Sequence, residues 1–99
     1  MSHRGSILCL PHGIWASEVK AAGEIDAAAV SLALADDAGI DHFLIGTGKE
    51  MAALPPVLRD AFRTRRIVLE SMTTGAAVRT YNILLAERRR IGALLIAVD

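Results

Sequence analysis

The sequence predicts an α/β domain, and three observations predict it. Short apolar runs recur along the chain, with helix-patterned stretches between those of its second half. Two of these runs lead into small and polar residues of the kind that open a helix. Finally, 53% of the 99 residues are hydrophobic and 22% charged, the balance of a packed domain and not of a disordered chain. A chain of this length holds one core and is too short for two, so residues 1–99 are read as a single domain. Residues 1–5 are expected to be disordered.

Ser6-Ile7-Leu8-Cys9-Leu10 reads as a buried strand stopped by Pro11-His12-Gly13. Residues 13–19, with Ile14 and Trp15, supply a hairpin partner, and 20–24 a loop. Asp26 is placed to cap an alanine-rich helix over about 27–36, with Val30 and Leu34 on one face. Asp36-Asp37-Ala38-Gly39 ends it, Gly39 suiting the left-handed position after a helix.

His42-Phe43-Leu44-Ile45 is a second apolar strand, running into Gly46-Thr47-Gly48. Pro55-Pro56 opens a helix, because a first-turn proline lacks only an N–H that would be unpaired anyway. Val57, Leu58, Ala61 and Phe62 share one face of it; Arg59, Asp60, Arg63 and Arg66 fall largely on the other. Ile67-Val68-Leu69 is the next strand. Thr73 or Thr74 caps a third helix with a stripe of Ala76, Ala77, Thr80, Tyr81, Leu84 and Leu85. Arg88-Arg89-Arg90 falls in its last turn, where cations meet the negative end of the helix dipole. Residues 93–98 form the final strand. The order strand, helix, strand, helix, strand over 41–98 implies parallel strands with helices packed on the sheet.

Lys+Arg and Asp+Glu both total 11, so no global charge draws the chain to nucleic acid or an anionic surface. The charge is unevenly placed: residues 51–99 carry eight bases, all arginine, against four acids. That asymmetry reads either as complementary neighbours or as a basic docking face. Arg63-Thr64-Arg65-Arg66 and Arg88-Arg89-Arg90 lack interleaved aromatics, which argues against nucleic-acid binding. One cysteine, Cys9, allows no internal disulfide and suits a reducing compartment. No run reaches the roughly 18 apolar residues of a membrane span, and no apolar leader opens the chain, so the expected location is cytoplasmic. His3, His12 and His42 lack metal-ligand spacing, and no nucleophile elbow is present. Neither metal nor cofactor is expected.

Two strand-to-helix junctions carry the candidate chemistry. Gly46-Thr47-Gly48 leaves a strand where open α/β sheets bind ligands. Met51 stands where the dinucleotide fingerprint needs a third glycine, and Gly48-Lys49 is followed by Glu50 where a phosphate loop needs Ser or Thr. A tight structural turn explains the glycines equally well. At the second junction, spanning residues 70–75, helix amides could hold an anion and Glu70 could act as a general base. The alternative there is a capping threonine and a solvated or arginine-paired Glu70. Tyr81 fits the apolar stripe, while Asn82 is less expected inside a helix and could line a pocket.

Taken in order, Phe43-Leu44-Ile45-Gly46-Thr47-Gly48, Glu70, the stretch 73–87 and Arg90-Ile91-Gly92-Ala93 resemble the Mth-type domain family. So do Gly5-Ser6-Ile7-Leu8 with Pro11, Gly13 and Trp15. The likeness runs from about residue 5 to 98. It implies a layered β/α fold with a mixed central sheet and no particular reaction. Relatives in eukaryotes include a mitochondrial assembly factor for respiratory complex I and an adipogenesis-associated protein. Members carry further residues before the Gly5-Ser6 stretch, so an opening strand is expected to be absent here. The matching positions are Gly46, Thr47, Gly48, Glu70, Thr73, Thr74, Tyr81 and Asn82.

Two functions follow as expectations. One is a non-catalytic binding or assembly module, with a protein partner or a second copy of itself, by analogy in respiratory complex assembly. The other is a site for an anionic metabolite, with or without catalysis, between the 46–48 loop and the 70–74 junction.

Overall fold

The computed structural model describes residues 6–17, 19–26, 28–35 and 39–97. Strands β1 (Ser6–Leu10) and β2 (Gly13–Ser17) form the expected hairpin, in register from Ser6 opposite Ser17 to Leu10 opposite Gly13. A 3-10 turn, Ala22–Glu24, interrupts the loop that follows. Helix α1 spans only Ser31–Leu34, far less than the expected 27–36. Asp26 does accept from the Ala29 N–H at 2.9 Å, but it caps a turn ahead of the helix and not the helix itself. So short a helix is not stable on propensity alone, and the packing of Val30 and Ala33 decides its extent. The expected helix end at Asp36-Asp37-Ala38, the disorder expected of residues 1–5, and Val98 lie outside the described residues.

The remainder is β3 (His42–Gly46), α2 (Pro56–Thr64), β4 (Val68–Met72), α3 (Thr74–Ala86) and β5 (Ile91–Ile96). Strand β4 runs three residues further than its apolar pattern suggests. It is an edge strand, so Glu70 and Ser71 need not be buried. Strand β5 begins at Ile91, because Gly92 is a close approach and not a break. A Cβ there would lie 2.8 Å from Leu10 Cδ2 and 3.0 Å from Phe43 Cδ1.

The five strands order as β2-β1-β5-β3-β4. Strand β3 pairs in parallel with both β4 and β5, and β1 pairs antiparallel with β5 and β2. The sheet is therefore mixed. Alternation divides its residues between two faces. One face carries Leu8, Leu10, Phe43, Ile45, Leu94 and Ile96 beneath Leu58 and Phe62 of α2, Ala33 of α1 and Val30 just before it. Phe43 and Phe62 stack there with ring centres 5.0 Å apart. The other face carries Leu44, Ile91 and Ala93 against Tyr81 and Leu84 of α3.

Both long helices end alike. Ile67 N–H donates to Phe62 O at 3.0 Å and Arg66 N–H to Arg63 O at 2.9 Å. Arg89 N–H donates to Leu84 O and Arg88 N–H to Leu85 O, each at 3.0 Å. These are Schellman closures, whose left-handed position usually holds glycine. Here arginines occupy it: Arg66 at φ 59° and Arg88 at φ 62°. No helix among the described residues is long and apolar enough to cross a membrane.

Candidate functional site

Parallel pairing brings the two junctions together. Gly46 stands opposite Met72 of β4 and Leu95 of β5, so the 46–48 loop emerges beside the start of α3. Thr47 N–H donates to Met72 O at 2.7 Å. The Thr47 hydroxyl lies 2.7 Å from Glu50 O and 3.1 Å from Met72 O, and donates to one at a time. Gly48 N–H donates to Thr74 Oγ1 at 2.9 Å, and Thr74 N–H returns a bond to Gly48 O at 2.9 Å. The Thr74 hydroxyl donates in turn to Ile96 O at 2.7 Å. One threonine thus ties the ends of β3 and β5 to the helix start.

The two glycines have separate causes. Gly48 sits at φ +99°, in the left-handed region. Gly46 is needed for space, since a Cβ would lie 2.8 Å from Thr74 Cα. Thr73 is the α3 N-cap, its side chain accepting from Ala76 N at 3.4 Å. The N–H groups of Thr74, Ala76 and Ala77 therefore all have partners within the chain. An anion held by these three N–H groups would have to displace those bonds.

The other expected residues stand apart from this knot. Glu70 belongs to β4 itself and not to the junction. Its Oε1 is 3.4 Å from Nε2 of His42, a distance that suits an ion pair but lacks hydrogen-bond alignment. The His42 side chain is only 14% exposed, against 48% for Glu70. Tyr81 lies seven residues beyond Thr74, about 10 Å along the helix. It packs with Leu44, Ile91 and Ala93. Burial pushes its phenol above the usual value, and the nearby Cys9 thiol adds to the effect. Asn82 is exposed on α3. Gly46, Thr47, Gly48, Thr73 and Thr74 thus form one cluster, while Glu70, Tyr81 and Asn82 are separate from it. Among the described residues no three His, Cys, Asp or Glu side chains are grouped to hold a metal ion.

A family model described as "Protein of unknown function (DUF498/DUF598)" matches residues 1–96. The chain belongs to that family. A solution structure from Bordetella pertussis described as a Mth938-like domain is 27% identical at TM-score 0.79, covering 93% of this chain and 73% of that one. The family is therefore the Mth-type one, and its layered mixed-sheet fold is the fold found here. A crystal structure from Bartonella henselae, described as an outer membrane protein, is 45% identical at TM-score 0.89, covering 100% of this chain and 83% of that one. An uncharacterised protein of Rhodobacter capsulatus is 40% identical over 57 residues, 58% of this chain. That stretch is 46% of the curated relative's length, so less than half of it is matched.

Of two further surface features, sequence reasoning missed the first and left the second as one of two readings of the charge asymmetry. Helix α3 lies over β3 and β5, and the matching face of the β1–β2 hairpin stays open with Ile7 and Ile14 exposed. At the opposite end from the threonine knot lie the arginine-bearing turns that follow α2 and α3. Arg65 and Arg90 line one cavity of about 180 Å³. The signal for the second was present: helices joining parallel strands all return their C-termini to the end where the strands start.

Proposed function

We propose that this family member is a non-catalytic binding or assembly module that works by contact with a protein partner. One observation carries the reading: large apolar side chains stand in solvent on the sheet face that α3 leaves open. Ile14 is 72% exposed, and Ile7 stands beside it. Exposed apolar surface of this kind marks interaction sites in soluble domains. The threonine knot supports the same reading, because its polar groups serve the fold. By resemblance to the family's eukaryotic members, the process served is assembly of a respiratory complex. The single buried cysteine supports action in the cytoplasm. The test is co-purification from native cells under mild conditions, with wild type and Ile14→Glu compared by mass spectrometry. A stoichiometric partner, lost in the variant, is expected; free protein alone would remove the idea.

A second reading is favoured by the convergence of the 46–48 loop with Thr73 and Thr74. It is an anionic-metabolite site at that end, with Glu70 as its nearest carboxylate along β4. Phosphorylated and carboxylated metabolites would be screened by thermal shift. A ligand at 100 times its Kd stabilises by about 2.7 kcal/mol. The absence of any shift, with Glu70→Ala behaving as wild type, would eliminate it.

A further inference from the structure

The sheet has two open edges, and they differ in charge. Strand β4 carries Glu70 at its middle, and Arg59 and Arg63 of α2 line a hollow beside its Leu69. Charges so placed keep a sheet edge from recruiting another strand. Strand β2, at the other edge, has no such guard. Gly13-Ile14-Trp15-Ala16-Ser17 holds no charge and no proline, and it pairs with β1 residue for residue without a bulge. No Asp, Glu, Lys or Arg occurs anywhere in residues 6–17. The two-residue turn Pro11-His12 makes Leu10 and Gly13 a hydrogen-bonded pair, so Gly13, Trp15 and Ser17 turn their backbone groups toward β1. By alternation Ile14 and Ala16 turn theirs outward, and both residues are exposed.

We propose that β2 pairs antiparallel with β2 of a second copy of this chain about a two-fold axis, joining two sheets into one continuous sheet. This goes beyond the binding-module reading, because it concerns the edge of the strand and not the sheet face. The pairing pattern selects a copy. With Trp15 on the axis, Gly13 lies opposite the partner's Ser17 and Ile14 opposite the partner's Ala16, so every residue of both strands is paired. The outward groups of Ile14 then meet those of the partner's Ala16, each such pair exchanging both its N–H···O bonds. On the face that α3 leaves open, large Ile14 sits beside small Ala16 across the seam. On the other face the Trp15 ring folds back over its own Gly13, where a Cβ would lie 2.9 Å from Cη2, and meets His12 edge-on with ring centres 5.3 Å apart. Turned that way it leaves room for the partner's Trp15 directly opposite, an aromatic cross-strand pair of the kind that stabilises sheets. Charge selects a copy as well. A charged strand from another protein finds no counter-charge along β2, whereas two neutral strands oppose no like charges. The β4 edge fails that test, since a two-fold there would bring the arginines of the two copies together.

The purified chain is followed by sedimentation velocity from about 1 to 500 µM, because so short a seam should dissociate on dilution. A dimer and nothing larger is expected at the upper limit. Trp15 is the only tryptophan in the chain, so its emission should shift along the same isotherm. Over that range the amides of Ile14 and Ala16 should gain about ten-fold in protection from deuterium exchange. Ala16→Pro removes an outward N–H, a change that an edge strand tolerates, and should raise the dissociation constant about ten-fold or more. Ala16→Lys should do the same by guarding the edge, with its unfolding midpoint unchanged at low concentration. The double variant Ile14→Lys, Ala16→Glu should pair more tightly than Ala16→Glu alone and become salt-sensitive, since the register sets each lysine against the partner's glutamate. A single chain at every concentration, growth beyond the dimer, a dimer indifferent to both Ala16→Pro and Ala16→Lys, or no rescue by the charge pair would each overturn the proposal. A single chain that still captures a different protein through Ile14 in cells would overturn it and leave the module reading standing. A dimer that captures nothing else would strike the module reading instead.

Discussion

Single residues at the threonine knot have sharply different tolerances. At Gly46 the obstruction to a side chain is backbone, Thr74 Cα at 2.8 Å, which cannot swing aside. Gly46→Ala should cost about 1–3 kcal/mol, read as a lower urea midpoint. Gly75 is one residue into the same helix, and a Cβ there would meet nothing nearer than the flexible end of Arg79 at 3.8 Å. Gly75→Ala should therefore stabilise by about 0.4–1 kcal/mol in the same assay. Cys9 and Tyr81 give a pH dependence. Burial raises both acids in the folded state, so folding favours their protonated forms. As pH rises through their usual values near 9.0 and 10.0, the unfolded chain ionises first. Stability should fall on the alkaline side, and a urea-midpoint series from neutral pH to above 10 should show a shallower fall for Cys9→Ala.

Elements differ in how well the sequence displays them. Strands β1 and β3 are legible because their apolar runs are continuous, and β3 is buried on both faces. Helix α3 is legible because its stripe is long and Thr73 caps it. Helix α1 is overestimated, since a run of alanines has helix propensity but little to bury, and packing of Val30 and Ala33 sets its length. Strand β4 is underestimated, since an edge strand can hold Glu70 and Ser71 without burying them. Sheet position also sets local stability. Strands β3 and β5 are paired on both sides, whereas β2 and β4 are paired on one. Amides of Phe43, Leu44 and Ile45 should exchange with deuterium roughly a hundred-fold or more slower than the outward-facing amides of β2. Opening β3 requires unfolding close to the global free energy, of order 5 kcal/mol or above.

For the molecule as a whole, the fold class and the meeting of the two junctions were readable from the order of elements, because parallel strands must place both junctions at one end. What that meeting produces was not readable. Whether adjoining loops leave a cleft or bond to each other depends on where one hydroxyl points, and Thr74 points at Gly48 and Ile96. The open hairpin face depends on which strands each helix covers, a three-dimensional property with no periodic trace. The strand order carries a kinetic consequence of its own. Strand β5 follows its four companions in the chain yet occupies the middle of the sheet. During synthesis the hairpin on one side and the β3–β4 pair on the other must wait as separate pieces with raw edges. Only the arrival of the Ile91–Ile96 ribbon zips them into one body, so a nascent chain halted before Ile91 would offer two unpaired borders to chaperones or to aggregation.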